Sequence, residues 1–301
     1  MGGNTLVSIG ICTYRRASVA NTLESLSAQI LPRGVSLRIV VADNDAEPEA
    51  EARVRECATV WGLDVSYVHA PSRNICIARN ACLDAATGDW IAFLDDDETV
   101  APNWLAALLA EAQRSGCDAV LGPVQAVYGD RAPGWMKTAD LHSTRPVVTA
   151  GAITKGYAGN VLIRRDAIEA RGLRFDLALG RSGGEDDDFF YRLTDSGGMI
   201  GFAPGALAYE PVPAERSTLG WLMRRGFRTG QTHGARLNAR HRGPPRALQM
   251  GLAAAKGTAC LAAAAAWGVA STGRRNRWLV RGSLHAGVVA RLAGMHELQL
   301  Y

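Results

Sequence analysis

Apolar positions recur with two different periods along the first hundred residues. LVSIGICT (6–13) is a continuous β-rich run, whereas SVANTLESLSAQI (18–30) carries Val19, Leu23, Leu26 and Ile30 at helical spacing behind Ser18, a candidate N-cap. The alternation continues with SLRIVVAD (36–43) as a strand, AEPEAEARVRECATVW (46–61) as an acidic helix and DVSYVHA (64–70) as a strand. NICIARNACLDAAT (74–87) then reads as a helix closed by Gly88, and DWIAFLD (89–95) as a fourth strand. This order predicts an α/β fold with a central, mostly parallel sheet flanked by helices. Ligands of such sheets bind beyond the carboxyl ends of the strands. Thr13-Tyr14-Arg15, Asp43-Asn44-Asp45 and Asp95-Asp96-Asp97 end the first, second and fourth strands, so the three clusters are expected to share one crevice.

Beyond Pro102 the pattern predicts a helix (103–116), a fifth strand over DAVLGPVQAVY (118–128) and an irregular region, 129–157. AGNVLIRRDAIEARG (158–172) returns to strand and helix, GGEDDDFFYRLTDSG (183–197) is a glycine-bounded short helix, and MIGFAPGALAYE (199–210) a further strand. After Pro211 the character changes. STLGWLMRRGFRTGQTHGARLNARH (217–241) reads as a basic, partly amphipathic helix, and the Ala-rich stretch 247–271 follows it. At about 1.5 Å per residue that stretch is long enough for a hydrocarbon core of roughly 30 Å, but Gln249, Lys256 and several glycines favour an interfacial or packed helix over a span. The expected division is 1–211 as the catalytic body and 212–301 as a basic helical extension associated with a membrane.

Charge sharpens that division. The formal net charge of +4 is the sum of 19 Lys and Arg against 27 Asp and Glu in 1–211 and 14 against 2 in 212–301. A basic extension on an acidic body suits an anionic membrane surface or phosphate-bearing substrates, and the acidic body argues against a nucleic-acid partner. No secretory signal is evident at the N-terminus, and the six cysteines show no C-x-x-C pair, which points to the cytoplasm, peripheral at the inner face of the cell membrane.

The acidic run Asp95-Asp96-Asp97-Glu98 at the end of a buried strand needs compensation, since two carboxylates at ~4–5 Å repel by roughly 3–4 kcal/mol at an effective dielectric of 20. A divalent cation is one answer, because hard oxygen ligands suit Mg2+ or Mn2+ bound together with substrate phosphates, and alternation along the strand points Asp95 and Asp97 to one side. An acid-rich helix start before APNWLAALL is the other.

VSIGICTYRR, IVVADND, RNICIARNACLDAATGDWIAFLDDDE and GGEDDDFFYRL, in that order, resemble the family 2 glycosyltransferases, inverting enzymes of the GT-A fold that use nucleotide-sugar donors. The likeness runs from about residue 6 to 195, and PVPAERSTLGWLMRRGFRTG resembles the tail of members that build bacterial polysaccharides. It implies that Thr13, Tyr14 and Arg15 line the nucleotide pocket and that Asp43 accepts a hydrogen bond from the base, commonly uracil N3–H, with Asn44 and Asp45 beside it. Arg79 and Asn80 match positions near the ribose and diphosphate. Asp95 would meet the ribose or diphosphate and the metal, Asp97 the metal, and Asp96 would support them. Asp186 would be the base that deprotonates the acceptor hydroxyl, with Glu185 beside it and Arg192 pairing with one of the acids of that run. Where many relatives carry a histidine, this chain has Glu210, so Glu210 or His233 is the candidate to complete the metal site.

Arg216, Arg224, Arg225 and Arg228, near Trp221, Leu222 and Phe227, suit either a diphosphate or a membrane surface. The implied partners are a nucleotide-sugar donor, UDP-sugar favoured, and a saccharide or polyprenyl-linked acceptor. Sugar selectivity is expected from 129–157, including Trp135 and Met136. Two other readings share these residues: a metal-dependent nucleotidyltransferase, disfavoured because no Gly-rich phosphate loop follows the first strand, and a membrane-peripheral saccharide- or lipid-binding protein without catalysis. The motifs leave the donor sugar, the acceptor and the oligomeric state unassigned.

Overall fold

The structure, a computed structural model, describes residues 4–181, 183–240 and 243–298. The chain forms two compact units, Met1–Gln125 with Ser143–Pro211, and Ala126–His142 with Val212–Tyr301. Ala126–His142 thus groups with the basic extension, although its sequence lies between strands of the catalytic body.

In chain order the first unit contains β1 (Thr5–Thr13), α1 (Val19–Ser27), β2 (Val35–Asp43), α2 (Glu51–Trp61), β3 (Val65–His69), α3 (Ile75–Ala85), β4 (Trp90–Asp95), β5 (Thr99–Val100), α4 (Trp104–Ser115) and β6 (Ala119–Leu121). β7 (Val124–Tyr128) leads out of it to α5 (Gly134–Ala139), and the chain returns through β8 (Val148–Thr149), β9 (Ala152–Ile153), β10 (Asn160–Arg164), α6 (Arg165–Ala170), α7 (Glu185–Asp195), β11 (Ile200–Phe202) and β12 (Ala208–Val212). The seven-stranded sheet has the order β11-β6-β10-β4-β1-β2-β3. β10 is antiparallel to both its neighbours, and the remaining pairs are parallel.

Side chains of successive residues leave a strand on opposite faces, and this divides the core. Ile39 and Val41 of β2 and Ala92 and Leu94 of β4 pack with Leu23, Val54 and Trp104 from α1, α2 and α4. Val40, Ala42, Ile91 and Phe93 face Cys82, Ile168, Phe189 and Phe190 from α3, α6 and α7. Two strands expected to be continuous are broken: Gly122-Pro123 separates β6 from β7, and Pro204-Gly205 separates β11 from β12, since proline withholds the N–H a ladder needs. Ser18 makes no side-chain cap on α1, whereas the Asn74 side chain accepts from Cys76 N at 3.1 Å and caps α3.

The second unit is helical: α5, α8 (Leu219–Arg240), α9 (Pro244–Trp267) and α10 (Thr272–Leu292). Glycines let α8 and α10 cross with backbones touching. A Cβ on Gly230 would strike the Leu284 carbonyl, and one on Gly287 the Phe227 carbonyl. The helix α10 falls in the stretch expected to be a basic helical extension, where its own boundaries are not marked.

Candidate active site

The sheet brings the acidic clusters to one edge. β1 lies between β2 and β4, with Thr13 opposite Asp43 and Cys12 opposite Asp95, so the carboxyl ends of three neighbouring strands deliver Thr13, Asp43 and Asp95 side by side. The chain then turns at Arg15, whose φ of 55° lies in the left-handed region. Two successive arginines part there. Arg15 Nε donates to Asp45 Oδ2 at 2.6 Å, while Arg16 Nη1 donates to Asp96 Oδ1 at 2.9 Å and Asp97 Oδ2 at 2.6 Å. Thr13 Oγ1 adds a bond to Asp96 Oδ2 at 2.8 Å. Tyr14 is partly exposed, its ring beneath the guanidiniums of Arg15 and Arg73.

The Asp43 carboxylate is already held by this chain: it accepts from Asp45 N at 3.0 Å, Ala50 N at 3.1 Å and Tyr67 Oη at 2.7 Å. Asn44 donates to the Ala70 carbonyl and to Ser72. Asn80 spends its amide on the Phe175 backbone, donating to the carbonyl and accepting from the N–H at 2.9 Å each. Asn80 therefore braces the loop before α7.

β4 ends at Asp95, and Asp96-Asp97 form a turn, so strand alternation does not govern where Asp97 points. Asp95 sits among acids. Burial pushes its pKa up to about 7, Arg79 pulls against that, and the charges of Asp97, Asp186 and Asp96 add to it. Glu98 is fully enclosed and stands well above the usual carboxylate range, through burial first and then the charges of Asp95 and Glu210. Glu210 is thus within electrostatic reach of the cluster. Sequence reading gave Glu98 no role and did not single out Arg16; the signals for them were the fourth acid of DDDE and the second arginine of TYRR.

The second acidic run opens α7. Gly183 and Gly184, at φ of 79° and 93°, make the left-handed turn that brings Glu185 to the start of the helix, where the dipole favours acids. Arg79 from α3 is buried and donates to Glu185 Oε1 at 2.7 Å and to Asp186 Oδ1, while its guanidinium lies over the Phe175 ring. Asp186 Oδ2 accepts from Ala158 N at 3.1 Å. Burial raises the pKa of Asp186 to about 6 against the pull of Arg79. Arg192 pairs with Asp188 at 2.8 Å and with the Arg174 carbonyl.

One dipeptide joins the two acid clusters. Ala158 holds Asp186, and a Cβ on the next residue, Gly159, would lie 2.7 Å from Glu98 Oε1 and 3.0 Å from Asp95 Oδ2. β10 starts at Asn160 and runs antiparallel to β4, which brings these residues back to the crevice. Asn160 is itself pinned, accepting from Trp104 Nε1 at 2.8 Å and donating to the Pro123 and Ala206 carbonyls.

The residues fit a divalent cation in chemistry. Asp95 and Asp97 offer hard oxygens, and Asp95 is buried beside the further acids Asp96, Asp97 and Asp186. No group of three or more ligating side chains is assembled among the described residues, so the chain would supply part of a coordination sphere.

Several expected residues lie in the second unit. Arg228 is buried in an internal pair with Glu297, beyond the end of α10, at 3.1 Å and with Thr232 at 2.8 Å, so its guanidinium is engaged inside the second unit. Arg216 and Arg225 lie over the Trp221 ring, which stacks on His142. Arg224 and His233 are exposed on α8. Met136 is wholly enclosed, which removes it as a sugar contact; Trp135 is half-buried on α5.

The glycosyl transferase family 2 model matches residues 8–172. The chain is similar to the succinoglycan biosynthesis protein ExoM of Rhizobium meliloti (strain 1021), 51% identical over 295 residues that make up 98% of this chain and 95% of the relative. The mannosyltransferase PcManGT from Pyrobaculum calidifontis, solved in complex with GDP-Man and Mn2+, superposes with a TM-score of 0.66 at 21% identity, over 97% of this chain and 88% of that one. S. aureus TarS 1-349 in complex with UDP-GlcNAc gives a TM-score of 0.55 at 16% identity, over 97% and 93%. At such identities the likeness speaks for a shared fold. With its mostly parallel sheet, its four motifs and the family match in agreement, the chain belongs to glycosyl transferase family 2 and is a glycosyltransferase of GT-A fold.

Proposed function

We propose that this enzyme transfers a sugar from a nucleotide-diphosphate donor, UDP-sugar favoured, to a saccharide or polyprenyl-linked acceptor in polysaccharide assembly, with inversion at the anomeric carbon. It works in the cytoplasm, on acceptors presented at the inner face of the cell membrane. The observation that carries the reading is the Ala158-Gly159 step, which links a buried carboxylate of raised pKa to the acid cluster at the sheet edge. The similarity to a succinoglycan biosynthesis protein over nearly the whole chain supports the polysaccharide context, and the GDP and UDP donors of the structural neighbours leave the base to experiment.

Asp186 accepts the acceptor hydroxyl proton as that oxygen attacks the anomeric carbon and the bond to the diphosphate breaks. Arg79 and the Ala158 N–H hold its two oxygens and keep it ionised at neutral pH. Asp95 and Asp97 would hold Mg2+ or Mn2+, with Glu210 nearby, and the bound cation supplies charge neutralisation to the leaving diphosphate. Thr13 and Arg16 orient Asp96 and Asp97, and Tyr14 and Arg15 line the nucleotide side.

A panel of nucleotide sugars, scored for nucleoside diphosphate release and for donor binding, tests the reading. Asp186→Asn abolishes transfer and spares donor affinity. Failure of every donor to bind or react sinks the proposal, and wild-type turnover in Asp186→Asn removes Asp186 as the base.

A further inference from the structure

The helix α9 is long and apolar enough to cross a membrane, yet it carries little of the second unit's core. Its inner stripe is small: Ala253, Cys260 and Ala264 are buried, a Cβ on Gly282 of α10 would sit 3.4 Å from Cys260 Cβ, and Gly257 faces His285. Arg246, in the first turn, reaches across to the Leu292 carbonyl at 3.0 Å. α9 and α10 therefore form an antiparallel hairpin from one end to the other.

The opposite face of α9 is different. At 100° per residue, Leu248, Leu252, Ala255, Ala259, Ala262 and Ala266 fall on one stripe, and all six are exposed. Leu248 is 62% and Leu252 46% accessible, and Val269, in the turn that joins the two helices, is 97% accessible. The stripe holds no charge. The flanks are cationic: between Glu215 and Glu297 the sequence has no acidic residue and 14 Lys and Arg. Arg274 and Arg281 are exposed on α10, and Arg274 lies 4.2 Å over the ring of Trp267 at the hairpin tip. An uncharged stripe bordered by guanidiniums, with an amphipathic aromatic at its end, matches the depth profile of a lipid interface.

We infer that the outer face of α9 is a membrane-docking surface that beds into one leaflet of an anionic bilayer, with the helix axis parallel to the membrane plane. Charge complementarity selects anionic headgroups as the partner. The orientation follows from α10. Because α10 is packed along α9, a transmembrane α9 would draw Arg281, at the middle of α10, into hydrocarbon, whereas an in-plane hairpin leaves it at headgroup level. The stripe uses none of the residues assigned to transfer, so its role does not depend on which sugar is moved.

The full-length protein, sedimented with vesicles of phosphatidylglycerol and phosphatidylethanolamine and with vesicles of phosphatidylcholine alone, tests the inference. Preferential binding to the anionic vesicles is expected, reduced at least tenfold by Leu248→Glu with Leu252→Glu while nucleotide-sugar binding is unchanged. Wild-type protein that stays in the supernatant, or a double variant that binds as well as wild type, overturns it. So does a dimer in solution that the same double variant dissociates, since the stripe would then be covered by a second copy. Orientation is read with nitroxides at Leu252→Cys, Ala259→Cys and Ala266→Cys. Equal depths are expected; a step of about 10 Å per seven residues marks a crossing helix and refutes the in-plane arrangement.

Discussion

Replacing Arg79 with glutamine removes the cation that touches both Glu185 and Asp186, and the structure sets two separate consequences. The Arg79 side chain is 8% exposed and the Glu185 side chain 12%, so the pair is largely out of water. Breaking such a pair from one side costs about 3–5 kcal/mol, and the lower figure applies because Asp186 borders the crevice. For a domain of roughly 150–250 residues, ~3 kcal/mol lowers Tm by about 6–12 °C. The pH dependence separates charge from packing. Asp186 already titrates at about 6 with Arg79 present, so in Arg79→Gln its pKa rises further. A carboxyl whose folded pKa lies above its unfolded value binds more protons in the folded state, so its contribution to stability falls as pH rises through that interval. The loss of Tm is therefore larger at pH 8 than at pH 5.5, where the carboxyl is neutral and needs its cation less. A base must also be ionised to act, so the acid limb of kcat/KM, near 6 in wild type, moves toward neutrality in the variant. Thermal melts at the two pH values and a pH–rate profile measure both effects. Equal Tm losses with an unmoved acid limb would refute the reasoning and reduce Arg79 to a side chain that packs on Phe175.

Arg16→Gln removes a cation that competes for Asp97. A half-exposed pair of this kind is worth about 0.5–1 kcal/mol, so Mn2+ affinity of the donor-free protein rises roughly two- to fivefold by calorimetry, and unchanged or weaker binding counts against the competition. Gly159→Ala puts a methyl 2.7 Å from Glu98 Oε1 and 3.0 Å from Asp95 Oδ2, displaces the loop that carries the Ala158 N–H, and lowers kcat with a stability cost of about 1–3 kcal/mol. Wild-type kcat in that variant argues against the loop as the link between the two acid clusters.

What could be read from the chain depends on whether the signal is local. The strands and helices of residues 6–95 stand out because each buries one face in a repeating period, and their polar ends fall at the sheet edge by the same arithmetic. Strand 118–128 was misread because its pattern is continuous across Gly122-Pro123, and only the missing proline N–H marks the break. The extension reads as basic and helical, but the boundaries of α10 within it are not marked by that pattern. Its Gly287 serves close approach to the Phe227 carbonyl of α8, a contact without a local signature. Asn80 and Arg228 drew attention as polar groups in suggestive company, yet their partners, the Phe175 backbone and Glu297, lie 95 and 69 residues away. Arg79 was singled out for the diphosphate, but its pairing with Glu185 and Asp186 spans 106 and 107 residues and appears only once the sheet is assembled.

The acid at the end of β4 now has an accounting. Asp96 and Asp97 share Arg16, Asp45 takes Arg15, and Glu185 and Asp186 share Arg79, so the arginines that follow β1 and sit on α3 neutralise the crevice from two sides. Asp95 and Glu98 make none of these ion pairs, and both carry raised pKa values through burial first and then the charges of neighbouring acids, with Arg79 pulling Asp95 the other way. A cluster meant only for stability gains little from two such carboxylates, since apolar residues of like volume would serve at least as well. On the proposed reading the residual charge has a use. It is the part of the site left for the cation and diphosphate to complete, while Arg15 and Arg16 part from the left-handed turn to Asp45 and to Asp96 with Asp97.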